Sequence, residues 1–509
     1  MKLRLTTQVG LLSAARALGQ ILNALVGIVV VRKLSQFDYG TFRQIFLLAA
    51  TLLQTELGFV ETLYFFLPTL PRLRALFMRQ TLVIVGSMQL LAGIVMVIFR
   101  QPIASFFNNS GLVPCMELLA FYSGFTILTR IWEVELVADK RVTIAAAVSL
   151  GFESLKVILM VVTLSIHPGI RALLLALVAA AALKFATFAI FLCREFGSFG
   201  NAGSIIQGLP QIRYAMALWI PALLNGAIGG QAHQYIVGHY FNPSEYATYA
   251  VACFQVPFVA ILTNSISEVL LVRATEYANQ GRRQELYALW INASRKGLLL
   301  YIAISTVLMV LARPLIVTLF TERYRSSAPL FALMVLGFLS YGVFQDALFR
   351  ACSAMRTYGF FYALRAVLSV GLAFVGLRLW GVWGVALSTV LAVGIVNIFQ
   401  LVPAARLLQV SFTRVLPWKD VAKMLVAAAA AGSATAALSH NVSRELSLIV
   451  GFPLFLAVYG GLAVNLGVIS KAEVMTVLHE AKVTCVKPRL IPWKNSVAAA
   501  GISNRAATS

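Results

Sequence analysis

Fourteen stretches of about twenty apolar residues, each bounded by charge, proline or glycine, constrain this chain more than any motif in it. They fall at 9–31, 41–67, 80–99, 112–132, 142–166, 170–193, 214–240, 246–272, 297–320, 328–349, 358–378, 382–403, 421–438 and 446–468. A stretch of that length crosses the hydrocarbon core of a bilayer as a helix. Inside hydrocarbon each backbone N–H and C=O must be bonded within its own segment, so helix is the form open to such a span. With 60% hydrophobic and 12% charged residues, the 509-residue chain has far more apolar surface than one soluble core could bury. The expected fold class is an all-α polytopic membrane protein with about 14 transmembrane helices.

Net charge of +22 would suggest nucleic acid in a soluble protein. Here the basic residues occupy short loops between spans, where they set topology, and no basic-and-aromatic run suggests a nucleic-acid groove. With the N-terminus placed in the cytoplasm, inward loops and the tail carry more than twice the Lys and Arg of the outward loops. Both termini are therefore expected to be cytoplasmic. The first span runs to Val31, carries Arg16 and has no convincing cleavage site, so it reads as a retained helix. Segment 273–296, with Leu286, Leu289 and Trp290 among basic residues, reads as an interfacial helix. The five cysteines are scattered singly, without metal or disulfide spacing. Cofactor and enzyme motifs are absent: there is no GxSxG, Walker loop or HExxH.

A repeat organises the spans. Ser35-Gln-Phe-Asp-Tyr-Gly-Thr-Phe42 returns as Asn242-Pro-Ser-Glu-Tyr-Ala-Thr-Tyr249, and the spacing of 207 residues continues without a gap to Glu61 and Glu268. Each copy joins two apolar spans, which suggests two related lobes, as in many transporters. Both turns are expected at the outer surface, fixing the helix hairpin of each lobe.

The opening Ala15-Arg-Ala-Leu-Gly-Gln, "VVRKLSQFDYGTF" and "FNPSEYATY" resemble the polysaccharide-transporter family, the O-antigen and exopolysaccharide flippases of the multidrug/oligosaccharidyl-lipid/polysaccharide superfamily. The resemblance spans the whole chain in helix number and repeat. It implies two six-helix lobes related by a pseudo-twofold along the membrane normal, facing across a central cavity. The divisions are then 1–200 for the N-lobe, 201–410 for the C-lobe, 411–469 for two further helices and 470–509 for a cytoplasmic tail. It further implies a polyprenyl-pyrophosphate-linked oligosaccharide as substrate, moved to the periplasmic leaflet of the bacterial inner membrane for lipopolysaccharide or exopolysaccharide synthesis. H+ or Na+ would be the coupling ion, membrane lipids the surroundings, and a polysaccharide polymerase or glycosyltransferases the protein partners. A peptidoglycan lipid-precursor flippase or a multidrug/cation antiporter of the same superfamily is the alternative. A membrane polysaccharide polymerase is disfavoured by the short outward loops.

Charges within spans are costly, by about 2.5–3.5 kcal/mol on insertion scales, and so mark candidate sites. Arg16 would fork onto pyrophosphate oxygens or snorkel to headgroups. Glu153 and Lys156, three residues apart, form either a structural pair or a substrate cation with a switchable partner. Arg365 would complete a basic chamber with Arg16 and Lys156. Asn225, Gly229 and His233 make one stripe in the seventh span, with Gln234 beside it, suited to sugar hydroxyls or to a buried polar seam. Pro257 is a bending point. Glu56, whose repeat mate is Thr263, is the candidate ion-coupling acid or a carboxyl bonded to a neighbouring helix. Glu61 and Glu268 are expected to act at the gate, pairing with arginines such as Arg72 or Arg273.

Overall fold

The computed structural model describes residues 5–56, 58–197, 205–223 and 229–468. The expected tail at 470–509 and Asn225 lie outside the described residues. The first half of the chain forms α1 (Leu5–Lys33), α2 (Gln36–Leu52), α3 (Phe59–Thr69), α4 (Arg74–Ile98), α5 (Arg100–Phe106), α6 (Met116–Ala138), α7 (Val142–Ile166) and α8 (Ile170–Phe196). Then come α9 (Ile205–Leu223), α10 (Ala232–Tyr240), α11 (Pro243–Ala252), α12 (Pro257–Asn279), α13 (Arg283–Val310) and α14 (Ala312–Phe320). The chain continues as α15 (Ser327–Val335), α16 (Gln345–Ala351), α17 (Met355–Leu408), α18 (Trp418–Asn441) and α19 (Arg444–Asn465). Among the described residues there is no strand.

Among the described residues, eleven helices are long and apolar enough to cross a membrane by length and composition. α17 holds two of the fourteen expected spans as two arms that reverse at Trp380 and Gly381, where the backbone is not helical and Gly381 takes φ 58°. The expected span at 41–67 is interrupted, and that at 214–240 includes 224–228, which lie outside the described residues. The first breaks at a 3-10 turn, Leu53–Glu56, and at Gly58, whose φ of 72° is left-handed. Another interruption precedes Pro257, which opens α12 at its first turn, where a missing N–H costs nothing. Broken helices expose backbone polar groups, tolerated at membrane depth where they face protein or a water-filled cavity.

The repeated turns are helix N-caps. Ser35 Oγ accepts from the Asp38 backbone N–H at 3.0 Å, and its hydroxyl donates to the Asp38 carboxylate at 2.7 Å. Asn242 and Glu245 form a reciprocal capping box, the Asn242 Oδ1 accepting from the Glu245 N–H at 2.9 Å and the Asn242 N–H donating to the Glu245 carboxylate at 3.1 Å. The repeated acid thus sits in a first helical turn, where the dipole favours it. The turns also meet each other. A Cβ on Gly40 would lie 1.8 Å from the Pro243 carbonyl oxygen, and Gln36 Nε2 donates to Thr248 Oγ1 at 2.9 Å. They therefore join the two halves as well as shaping each hairpin.

Packing is uneven along the bundle. One hydrophobic core takes in the repeat turns and runs through both halves, from Val30, Tyr39 and Leu112 to Tyr246, Tyr301 and Phe349. Away from the repeat turns the first half has a second core of its own, around Phe59, Phe77, Ile131 and Phe188. The halves therefore share their core at the repeat turns, while the far end of the first half packs on its own residues.

Two local expectations change. The helix expected to begin near 214 begins at Ile205, and α9 packs on the first half: Gln211 Nε2 donates to Thr62 Oγ1 and Thr81 Oγ1, both at 2.8 Å, and Tyr214 stacks on Phe65. Segment 273–296 makes no separate interfacial helix. Its residues extend α12 and α13, and Trp290 is buried, with Nε1 donating to the Val415 carbonyl at 2.8 Å. The last pair, α18 and α19, packs on α13, where Tyr459 donates to the Leu299 carbonyl at 3.0 Å. The two arms of α17 touch backbone to backbone, since a Cβ on Gly384 would lie 1.8 Å from the Gly376 oxygen. Gly384→Val should cost at least about 1–3 kcal/mol as overpacking. A clear fall in Tm by fluorescence-monitored unfolding is expected, with Gly371→Val, which meets nothing within 4 Å, unchanged.

Candidate functional site

Beneath the closed turns lies a cleft of about 530 Å³ between the halves. α1 contributes Gln20, Asn23 and Gly27, one face by helical spacing; α2 contributes Tyr39 and Arg43; α10 contributes Gln231 and Gln234. The α11–α12 interruption adds Cys253, Phe254 and Gln255. No carboxylate lines the cleft among the described residues. Arg43 is its cation. Its Nε is buried without a hydrogen-bond partner, and its guanidinium makes no ion pair among the described residues. An unpaired guanidinium in a ring of amides is arranged to receive an anion with hydroxyl groups around it.

Arg43 escaped the sequence reading because it lies at the edge of its span, where a cation passes for a boundary. The repeat held the signal: its mate 207 residues on is Ala250, which lines the same cleft, so the charge belongs to one half only.

The expected chamber of Arg16, Lys156 and Arg365 is not assembled. Arg16 is exposed on the α1 face that carries Gln20 and Asn23, and has no partner among the described residues. Lys156 is neutralised by Glu153 at 2.5 Å, and Asn23 Nδ2 donates to the same carboxylate at 3.3 Å. Arg365 lines a separate pocket in the second half, with Asp346, Asn397 and Gln400, and its Nε is buried without a partner. There Tyr362 donates to the Asp346 carboxylate at 2.6 Å. Asp346, an acid inside the span expected at 328–349, was also not singled out from sequence.

Gln234 faces the cleft, whereas His233 is buried behind it, its Nδ1 2.8 Å from the Tyr249 hydroxyl. Glu56 and Glu61 flank the Gly58 interruption and share one guanidinium: Arg130 Nη1 donates to Glu56 at 2.6 Å and Nη2 to Glu61 at 2.5 Å. Glu61 thus pairs with Arg130 and not with Arg72. Glu268 is exposed on α12 and pairs with neither Arg273 nor any other described residue. At the end opposite the repeat turns, Arg74 pairs with Glu135, and Arg141 with Asp139 and Glu195, both at 2.6 Å. The Glu195 carboxylate holds the Arg141 guanidinium above its ordinary value. These arginines are committed within the first half.

A family model described as polysaccharide biosynthesis protein matches residues 72–329. No curated protein matches the chain in sequence. A solved structure of the lipid II flippase MurJ in an inward closed conformation is 15% identical, with a TM-score of 0.70 over 89% of this chain and 98% of that one. A mutant of the Vibrio cholerae MATE transporter VcmN is 15% identical, with a TM-score of 0.57 over 79% and 98%. An inward-facing multidrug resistance MATE family transporter of the MOP superfamily is 13% identical, with a TM-score of 0.60 over 77% and 94%. The fold is that of these proteins.

Glu56 is only 6% exposed, so its charge depends on Arg130. Arg130→Ala should destabilise the protein by about 1–3 kcal/mol by leaving a buried acid unpaired. Combining it with Glu56→Gln should recover part of the loss, as thermal unfolding of the three variants would read out.

Proposed function

The chain belongs to the polysaccharide biosynthesis protein family, and on that premise we propose that it moves a polyprenyl-pyrophosphate-linked oligosaccharide from the cytoplasmic to the periplasmic leaflet. The product feeds lipopolysaccharide or exopolysaccharide assembly at the bacterial inner membrane. With both termini cytoplasmic, as the loop charges favour, the repeat turns form the closed periplasmic gate and substrate enters from the opposite, cytoplasmic end. The observation that carries this reading is Arg43, an unpaired cation among amides in a cleft with no carboxylate among the described residues. A drug or cation antiporter needs an acid there.

In this reading residues 1–200 form the N-lobe, 201–410 the C-lobe and 411–469 the two appended helices. Arg16, on the cleft face of α1 beyond Gln20, meets the anionic head group on entry. Arg43 takes the pyrophosphate, while Gln231 and Gln234 bond sugar hydroxyls and the prenyl chain stays in the bilayer. Arg365 adds the C-lobe's cation when the lobes close. Outward opening requires the Gly40–Pro243 contact to part.

Coupling falls to Glu56 and Glu61. Two carboxylates on one guanidinium carry one net negative charge, and that site can take up one proton or monovalent cation beside the Gly58 interruption. One charge crossing about 100 mV supplies about 2.3 kcal/mol, enough to bias the cycle.

Arg43→Ala should lower surface-polysaccharide export at least tenfold at equal protein level, since a charged hydrogen bond contributes about 1.5–3 kcal/mol and about 1.4 kcal/mol is tenfold in affinity. Arg43→Lys should retain part of it. Normal export in Arg43→Ala removes the cleft from the mechanism. Glu56→Gln should abolish the dependence of export on pH or sodium; an unchanged dependence on both removes the coupling assignment.

A further inference from the structure

Three arginines sit where loop-charge rules disfavour them. Arg313, Arg323 and Arg325 line one groove of about 820 Å³ at the repeat-turn end, the face poor in positive charge. Among the described residues none of the three side chains makes an ion pair or hydrogen bond. Three other arginines at that end are occupied: Arg100 by Glu117 at 3.0 Å, Arg32 by the Leu319 carbonyl at 3.0 Å, and Arg444 by Glu322 at 2.7 Å; Arg171 and Arg378 are exposed singly outside the groove. Glu322 is the acid of the groove, and Arg444 neutralises it. The floor, Met309, Val310 and Ala332, is apolar.

The loop that presents these charges is strained and anchored. Thr321 takes φ 79° and ψ 167°, a region all but restricted to glycine and seen where surroundings over-determine the backbone. Those surroundings are the two repeat turns. Tyr324 is fully buried, edge-on to Tyr39 of the first turn at 5.9 Å. Ser327 Oγ donates to the Thr248 carbonyl of the second at 2.8 Å. Arg323 and Arg325, on either side of Tyr324, are exposed.

We propose that this groove binds an anionic phospholipid from the leaflet at the repeat-turn end. Arg323 and Arg325 fork onto its phosphate, Arg313 neutralises the remaining charge, and an acyl chain covers the apolar floor. Because the same loop carries Tyr324 under the gate, the bound lipid braces the closed turns. The inference is independent of the transported substrate.

The test uses the purified full-length chain in detergent, with native mass spectrometry and thermal unfolding. Phosphatidylglycerol should give retained adducts and raise Tm, and phosphatidylcholine should do neither. Arg313→Ala/Arg323→Ala/Arg325→Ala should lose at least fivefold of the adducts and the Tm rise, with Arg100→Ala as the unaffected control. Inorganic phosphate alone should not reproduce the rise. Equal binding of phosphatidylcholine, or full retention by the triple variant, overturns the lipid site. In Tyr39→Ala the adducts should persist while the Tm rise shrinks by more than half; an undiminished rise overturns the bracing.

Discussion

The crossing of Gly40 against the Pro243 carbonyl sets how closely the two halves approach, and much of the structure follows from it. Backbone meets backbone there because the position has no side chain. Its repeat mate, Ala247, is also small and fully buried. The contact brings Tyr39, Tyr246 and Tyr324 into one core that joins the two halves above the cleft. The caps at Ser35 and Asn242 hold the contact in register by fixing where α2 and α11 begin.

Charge within the bundle divides into paired and unpaired groups. Glu133 with Lys184, Glu135 with Arg74 and Glu153 with Lys156 each satisfy a buried or half-buried acid with a neighbouring cation. Such pairs hold helices together at little net gain, because desolvation offsets attraction. Arg43 and Arg365 have no such partner among the described residues. An unpaired guanidinium at membrane depth is costly, and an anionic head group would remove the cost on binding. The shared Arg130 is intermediate, one cation between two acids.

The fold was largely legible because bilayer thickness fixes helix length, and apolar runs of that length are plain in sequence. The interruptions were harder. Pro257 announced one, but Gly58 lies within an apolar run where a glycine can equally stay helical, and Phe344, left-handed at φ 50°, carries no turn signal of its own. α9 was placed too late because a polar stretch that packs on α3 and α4 looks like a loop when its partners are unknown. At the site, Gln234 was legible as part of a polar stripe, while Arg43 was hidden by its place at a span edge. Neighbouring acids decide whether a cation is free. That is a property of tertiary packing; Lys156 sits against Glu153, the pairing that both readings of those two residues expected.

Transport of a pyrophosphate-linked oligosaccharide through the Arg43 cleft is tested most directly by reconstitution. The purified protein is placed in liposomes with a fluorescent polyprenyl-pyrophosphate oligosaccharide, and the exposed leaflet is monitored with a membrane-impermeant reagent. Gradient-dependent movement of the pyrophosphate-linked lipid, and none of the same glycan on an uncharged lipid anchor, is the expected result. Equal movement of both lipids, or movement of neither under an imposed gradient, would contradict it.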